Sequence, residues 1–149
     1  MTHPFRVRGL GEVAIRCADL DAMVGFYRDV IGLEVLSDGR DETGVVFFKI
    51  AEGVAGHTCV LALFHYTAGR ANLHPTATEP PETGAGSSLH HIALSLTRAE
   101  QEKAIAHYET IGQTHTLQMF GWIGWRGVFT TDPEGNTVEL VAHDPAFLD

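Results

Sequence analysis

The sequence predicts an α+β fold built from two copies of a βαβββ module, giving mixed sheet with helices on the outside. Three observations carry this expectation. Apolar segments of strand length alternate with only two helical stripes. The segment Phe26-Tyr27-Arg28-Asp29-Val30-Ile31-Gly32 returns about eighty residues later, with one gap, as His107-Tyr108-Glu109-Thr110-Ile111-Gly112. Each copy is followed by three β-rich stretches punctuated by glycine, and such internal repeats define a fold before any single element does.

The first module spans about 9–66. A short apolar strand covers roughly 10–17, and Asp19 stands as the expected N-cap of a helix. Met23, Phe26, Tyr27, Val30 and Ile31 follow at i, i+3, i+4, i+7 and i+8, one helical stripe, and Gly32 is the expected stop. Strands are predicted at 33–37, 45–50 and 58–66, separated by Gly39, Gly44, Gly53 and Gly56.

Residues 67–88 (TAGRANLHPTATEPPETGAGSS) are rich in Gly, Pro, Ser and Thr and read as a long linker. Linkers of this length are functional or loosely held. The second module spans about 89–143. Its strand at 89–96 runs into Thr97-Arg98-Ala99-Glu100, a capping-box pattern. A helix with Ile105, Tyr108 and Ile111 on its stripe stops at Gly112. Strands near 115–120, 126–131 and 136–142 complete the copy, the last entered through the turn Asp132-Pro133-Glu134-Gly135-Asn136.

Composition narrows the function classes. The 149 residues are 44% hydrophobic and 19% charged, as in a globular domain rather than a disordered chain. A formal net charge of −9 without any Lys/Arg block argues against nucleic acid or an anionic membrane as partner. No apolar run approaches the roughly 20 residues that span a bilayer, and MTHPFRVRGL lacks the apolar core of a signal peptide. Cys17 and Cys59 are isolated, so a reduced cytoplasm is the simplest setting. There is no Ser-His-Asp order, CxxC, phosphate-cradling loop or dinucleotide-binding glycine pattern. Nine His residues make any one of them weak evidence alone.

Chemistry concentrates at strand starts and in the last strand. Glu139 stands inside Thr137-Val138-Glu139-Leu140-Val141, where an unpaired carboxylate is costly to bury. Its alternative to a metal is an ion pair with Arg126 or another cation. His91 opens the strand Ile92-Ala93-Leu94, and its alternatives are a backbone-bonded core His or a surface residue beside His90. Glu12 opens the first strand and shares a face with Ala14 and Arg16; its alternative is an acidic strand start satisfied by Arg16 or water. Trp122 and Arg126, set among small residues in Met119–Gly127, are candidates to wall a cup for an aromatic or acidic ligand, and Phe48 is a third substrate-contact candidate. For Trp122 and Arg126 a plain packing or dimer role stays open.

Glu12-Val13-Ala14-Ile15, Asp19-Leu20-Asp21 with Phe26-Tyr27 and Ile31-Gly32, His91-Ile92-Ala93-Leu94, Asp132-Pro133 with Gly135, and Glu139-Leu140 together resemble the vicinal oxygen chelate superfamily. That group contains glyoxalase I, bleomycin-resistance proteins, fosfomycin-resistance enzymes and extradiol dioxygenases. The resemblance covers about 10–142. It implies a cupped sheet, a homodimer, a small-molecule substrate and one divalent transition metal, Mn, Fe, Ni, Co or Zn. The ligand set it implies is Glu12, His91 and Glu139. The fourth ligand position falls on Val60 or Ala62, and neither binds metal. One imidazole and two carboxylates leave coordination positions open for water or a substrate's paired oxygens.

Departures from the family patterns narrow the chemistry. The extradiol pattern calls for Tyr where this chain has Phe129, and for a His upstream, where Phe120, Gly121 and Trp122 stand. The glyoxalase I base would fall on Val60 or Ala62. The epimerase acidic pair is incomplete, and the Thr of fosfomycin transferases is replaced by Ala14. Two expectations follow: a metal-dependent enzyme whose substrate chelates through two oxygens, with Glu12 a ligand or a general base, or a metal-free dimeric drug-binding protein of the bleomycin-resistance type.

Overall fold

A computed structural model describes residues 2–70 and 72–149. The chain divides into two compact units, one of residues 1–20 and 33–80, the other of residues 21–32 and 81–149.

The first unit carries a four-stranded mixed sheet. Its strands are β1 (Glu12–Cys17), β2 (Glu34–Gly39), β3 (Val45–Glu52) and β4 (Thr58–His65), in spatial order β1-β4-β3-β2. β1 runs parallel to β4 with Glu12 opposite Val60 and Ala14 opposite Ala62. β3 runs antiparallel to β4, with Phe47 opposite Ala62 and Phe48 opposite Leu61. Side chains alternate across a strand, so this register sorts the sheet into two faces. Ile15, Cys17, Val46, Phe48, Leu61 and Leu63 form a buried apolar face. Glu12, Ala14, Arg16, Phe47, Val60 and Ala62 share the other.

The predicted linker begins inside this unit and does not run free of the sheet. The Arg16 guanidinium donates to the Pro75 carbonyl at 2.9 Å, Ala77 N–H donates to the Tyr66 carbonyl, and His74 meets the edge of Phe64 at 6.2 Å. Pro75 and Ala77 thereby lie by the sheet, with His74 against its Glu12 face. Polarity in the sequence hid this, because these contacts are made by backbone carbonyls and one histidine ring rather than by apolar side chains.

The second unit repeats the sheet with β5 (Ile92–Ser95), β6 (Thr116–Phe120), β7 (Trp125–Thr131) and β8 (Thr137–His143), in order β5-β8-β7-β6. Helix α2 (Arg98–Ile111) begins as the capping box predicts: the Thr97 side chain accepts from Glu100 N–H at 3.2 Å. It ends at Gly112, whose φ of 72° is open to glycine at little cost. Ile92, Leu94, Val128, Val138, Leu140 and Ala142 are buried on one face of the sheet. Fully burying one such side chain stabilises by about 1.5–3 kcal/mol. Gln101 fastens helix to sheet: its amide donates to the Arg126 and Leu140 carbonyls at 2.7 and 2.9 Å, and its oxygen accepts from Arg126 Nε. A polar residue on the helix stripe gave no sign of this in the sequence.

The predicted first helix takes an unexpected form. An α-helix, α1 (Leu20–Gly25), passes directly into one π-helical turn over Phe26–Val30, closed by Ile31 N–H to the Phe26 carbonyl at 3.1 Å. The sequence spacing counts residues but not this one-residue widening of the helix. Within the second unit, Tyr27 is fully buried and donates its hydroxyl to Asp132 Oδ2 at 2.9 Å.

Tyr108, on α2, is also fully buried, and its hydroxyl has no partner among the described residues. Burial pushes its phenol up to about 12 from 10.0. The unfolded chain releases this proton near the ordinary value, so above it the unfolded state binds fewer protons than the folded one. The group's contribution is therefore whole below pH 10 and is lost as pH rises toward about 12. We expect Tyr108→Phe to flatten the alkaline fall in stability and to leave neutral stability unchanged or higher, because the hydroxyl it removes is unsatisfied. Urea unfolding at neutral and alkaline pH checks both, and an alkaline fall as steep in the variant would assign the effect elsewhere.

Candidate metal centre

The last turn of the repeat builds the site from the backbone upward. Asp132 is buried and fully engaged. One carboxylate oxygen accepts from the N–H groups of Glu134 and Asn136, both at 3.0 Å, and the other from the Asn136 amide and the Tyr27 hydroxyl, both at 2.9 Å. Gly135, with φ 89°, closes the turn by donating to the Asp132 carbonyl. This fixes the entry of β8, and with it the face on which Glu139 lies.

In the register of the second sheet, Glu139 stands opposite Ala93 on β5 and Phe129 on β7. Its side chain is only 7% exposed, and His91 Nε2 lies 3.2 Å from Glu139 Oε2. Glu139 has no lysine or arginine partner among the described residues. The ion pair with Arg126 that the sequence left open does not form, since Arg126 bonds Gln101 and Glu102 instead. The other ring nitrogen of His91, Nδ1, lies 2.8 Å from Nδ1 of His90. The imidazole is thus held at both ends, one nitrogen on a buried carboxylate and one on a neighbouring ring.

Gly127 makes room for this arrangement. A Cβ built there would meet Glu139 Oε1 at 2.5 Å and the Phe129 ring at 2.6 Å. Glycine inside a strand signals such a close approach, and that signal was present in the sequence but pointed to no partner. Phe129 faces His91 with ring centroids 6.3 Å apart and meets Phe120 at 6.4 Å. These aromatic rings on the Glu139 face were not among the predicted contact residues.

The remaining predicted residues lie as follows. Glu12 is exposed at the start of β1 in the first unit. The register also aligns the two copies: Ala93 pairs with Glu139, its counterpart Ala14 pairs with Ala62, and Ala62 rather than Val60 corresponds to Glu139. Ala62 is fully buried and brings only a methyl group. Phe48 lies on the buried face of the first sheet, opposite to Glu12, whereas its neighbour Phe47 shares the Glu12 face. Arg126 pairs with Ala142 in the strand register, on the side of the second sheet away from Glu139, with its guanidinium 4.9 Å over the Phe147 ring. A one-residue change of parity separates each of these two from the face the sequence suggested. Trp122 stands in the turn between β6 and β7, 76% exposed.

Among the described residues no three of His, Cys, Asp and Glu gather as a metal-holding group. The second unit itself offers two donors, an imidazole nitrogen and a buried carboxylate. Their chemistry fits a divalent transition metal, for which His and carboxylate are ordinary ligands.

Two four-stranded sheets repeat one strand order, with a His just before one strand of the second and a Glu inside its parallel neighbour. The chain belongs to the Glyoxalase/Bleomycin resistance protein/Dioxygenase superfamily, whose family model matches residues 9–140. It is similar to the crystal structure of lactoylglutathione lyase from Agrobacterium tumefaciens, at 26% identity over 90% of this chain and 92% of that one, with a TM-score of 0.63. It shares its fold with a glyoxalase/dioxygenase from Nostoc punctiforme, at 19% identity over 97% of both chains and a TM-score of 0.66. The same holds for the fosfomycin resistance protein FosX from Listeria monocytogenes, at 15% identity over 95% of this chain and 96% of that one and a TM-score of 0.63. No curated protein matches the chain. None of the described helices is long and apolar enough to cross a membrane.

A substitution tests the role of the strand glycine. Gly127→Ala forces the Glu139 carboxylate or the Phe129 ring to move, and we expect about ten-fold weaker metal binding with the fold retained. Competition with a chromophoric chelator measures it, and unchanged affinity would show that Glu139 needs no such space.

Proposed function

We propose that this protein is a metal-dependent enzyme acting on a small substrate chelated through two oxygens. Glu139 carries the reading. It is a buried carboxylate whose one ion partner among the described residues is a histidine, an arrangement that costs stability unless a cation joins it. His91 and Glu139 are the proposed ligands from the second unit, and Glu12 the proposed third from the first. A bound Mn, Fe, Ni, Co or Zn ion supplies Lewis acidity toward paired substrate oxygens.

The chain's own residues then do the following. His91 Nε2 stands 3.2 Å from Glu139 Oε2, and its Nδ1 shares a hydrogen bond with His90 Nδ1. With a cation on Nε2, His91 would carry its proton on Nδ1 and could donate it to His90, which would hold the ring in place. Phe129 and Phe120 exclude water from the same face and offer flat apolar surface to a substrate. Ala62 leaves the fourth position without a carboxylate, so a base for proton abstraction must come from elsewhere, and Glu12 is the proposed one if it does not bind the metal.

The similarity to a lactoylglutathione lyase favours lyase or isomerase chemistry, with oxygenase chemistry the other branch. A homodimer is part of the proposal, supported by Leu117 and Met119, exposed on the edge strand β6. The exposed Trp122 and the half-exposed Trp125 favour a second reading, a metal-free drug-binding dimer of the bleomycin-resistance type. Screening metal-loaded protein with diketones, hydroxy acids and catechols separates the two. Turnover lost to a chelator and restored by one metal is expected. Tight binding of cationic or aromatic drugs, indifferent to chelation and without turnover, would overturn the enzyme.

A further inference from the structure

The chain carries ten Lys and Arg residues against nineteen Asp and Glu, and most of the cations are already engaged. Arg28 pairs with Asp29, Arg40 with Asp38, Lys49 with Glu52, Arg98 with Asp144, Lys103 with Glu100 and Arg126 with Glu102. Arg16 donates to a carbonyl. Arg6 and Arg8 have no acidic partner among the described residues, and both line one cleft of about 300 Å³ in the first unit.

The remaining walls of that cleft are built for close approach. Gly9, Leu10, Gly11, Val54 and His57 line it. A Cβ on Gly9 would lie 3.1 Å from Val54 Cγ2, and one on Gly11 would lie 3.2 Å from His57 Cε1. The two glycines thus let the segment before β1 lie directly on the 54–57 turn. Within that turn Ala55 is held at φ 54°, ψ 39°. It is the one described non-glycine residue with positive φ, and such strain concentrates at ligand clamps.

We propose that this cleft is an anion site for a small molecule bearing a phosphoryl or carboxylate group. Two guanidinium forks grip such oxygens in pairs, and His57 is a third donor at the same wall. In a chain of net charge −9, an isolated pair of arginines makes a local attraction against a repelling background. None of His91, Glu139 and Glu12 lines the cleft, although Gly11 precedes Glu12 in the chain.

Amide NMR titration with inorganic pyrophosphate and, separately, with succinate tests it. Saturable shifts at Gly9, Gly11 and His57 are expected with at least one anion, and the tighter one identifies phosphoryl or carboxylate as the natural group. Arg6→Gln/Arg8→Gln should weaken that binding by about a hundred-fold, a ten-fold loss for each charged contact. Arg70→Gln, which removes a cation outside the cleft, should leave it unchanged. No saturable shift with either anion, equal weakening by Arg70→Gln, or full-strength binding in a folded double variant would overturn the proposal.

Discussion

His91→Ala and Glu139→Ala are each expected to lower divalent-metal affinity by at least about a hundred-fold, while Glu12→Ala weakens it less. The difference follows from the structure of the second unit. His91 Nε2 and Glu139 Oε2 are already 3.2 Å apart, and the carboxylate is buried where water cannot replace it. Losing either leaves one donor on that face. Glu12 is exposed at its strand start, so water can take its place at smaller cost. The two site variants should also part company in stability without metal. Glu139→Ala removes a buried carboxylate, whereas His91→Ala strands it, so His91→Ala is expected to be the more destabilising of the pair. Chelator competition gives the affinities and urea unfolding of the metal-free proteins gives the stabilities. Full-strength metal binding by the His91 variant would sink the assignment.

The largest stability effect is expected away from the metal ligands, at Asp132→Ala. Its carboxylate accepts from two backbone N–H groups, the Asn136 amide and the Tyr27 hydroxyl, all within 3.0 Å. Truncation leaves buried donors unsatisfied and loosens the turn that sets the register of β8. A loss of about 3–5 kcal/mol follows from breaking a buried hydrogen-bonded charge. Tyr27→Phe removes one of those donors and should cost about 1–2 kcal/mol. Because the turn positions Glu139, metal affinity should fall in Asp132→Ala and stay close to wild type in Tyr27→Phe. Thermal unfolding with and without metal distinguishes the two, and a mild Asp132 variant would mean that the turn is held by Gly135 and the strand ladder alone.

The architecture was legible in the sequence because its signals are local and doubled. Apolar alternation, the Thr97–Glu100 capping box and the glycines at 32 and 112 each place an element boundary. The repeat then confirms each from the other copy. The meeting of His91 and Glu139 was legible for a related reason: a carboxylate in Thr-Val-Glu-Leu-Val is conspicuous, and strand parity sets it on one face with the His that opens the parallel strand. What was hidden depends on parity or on distant packing. Phe48 and Arg126 each lie on the face opposite the one their neighbours suggested, and adjacent residues of like size give no clue to which is turned inward. The choice between Val60 and Ala62 needed the strand register. The space over Gly127 and the Tyr27–Asp132 bond join residues whose meeting no local pattern announces. Arg6 and Arg8 stood in a leading segment where no residue pattern singled them out, and their significance rests on the engagement of nearly every other cation.

Metal content of protein purified without a His-tag, by inductively coupled plasma mass spectrometry on wild type and Glu139→Ala, tests the central claim most directly. The account predicts one transition-metal ion per wild-type chain and its loss in the variant. A wild-type protein that holds no metal even after reconstitution with Mn²⁺, Fe²⁺, Ni²⁺, Co²⁺ and Zn²⁺ would contradict it, and would leave His91 and Glu139 as a close imidazole–carboxylate pair within a metal-free binding protein.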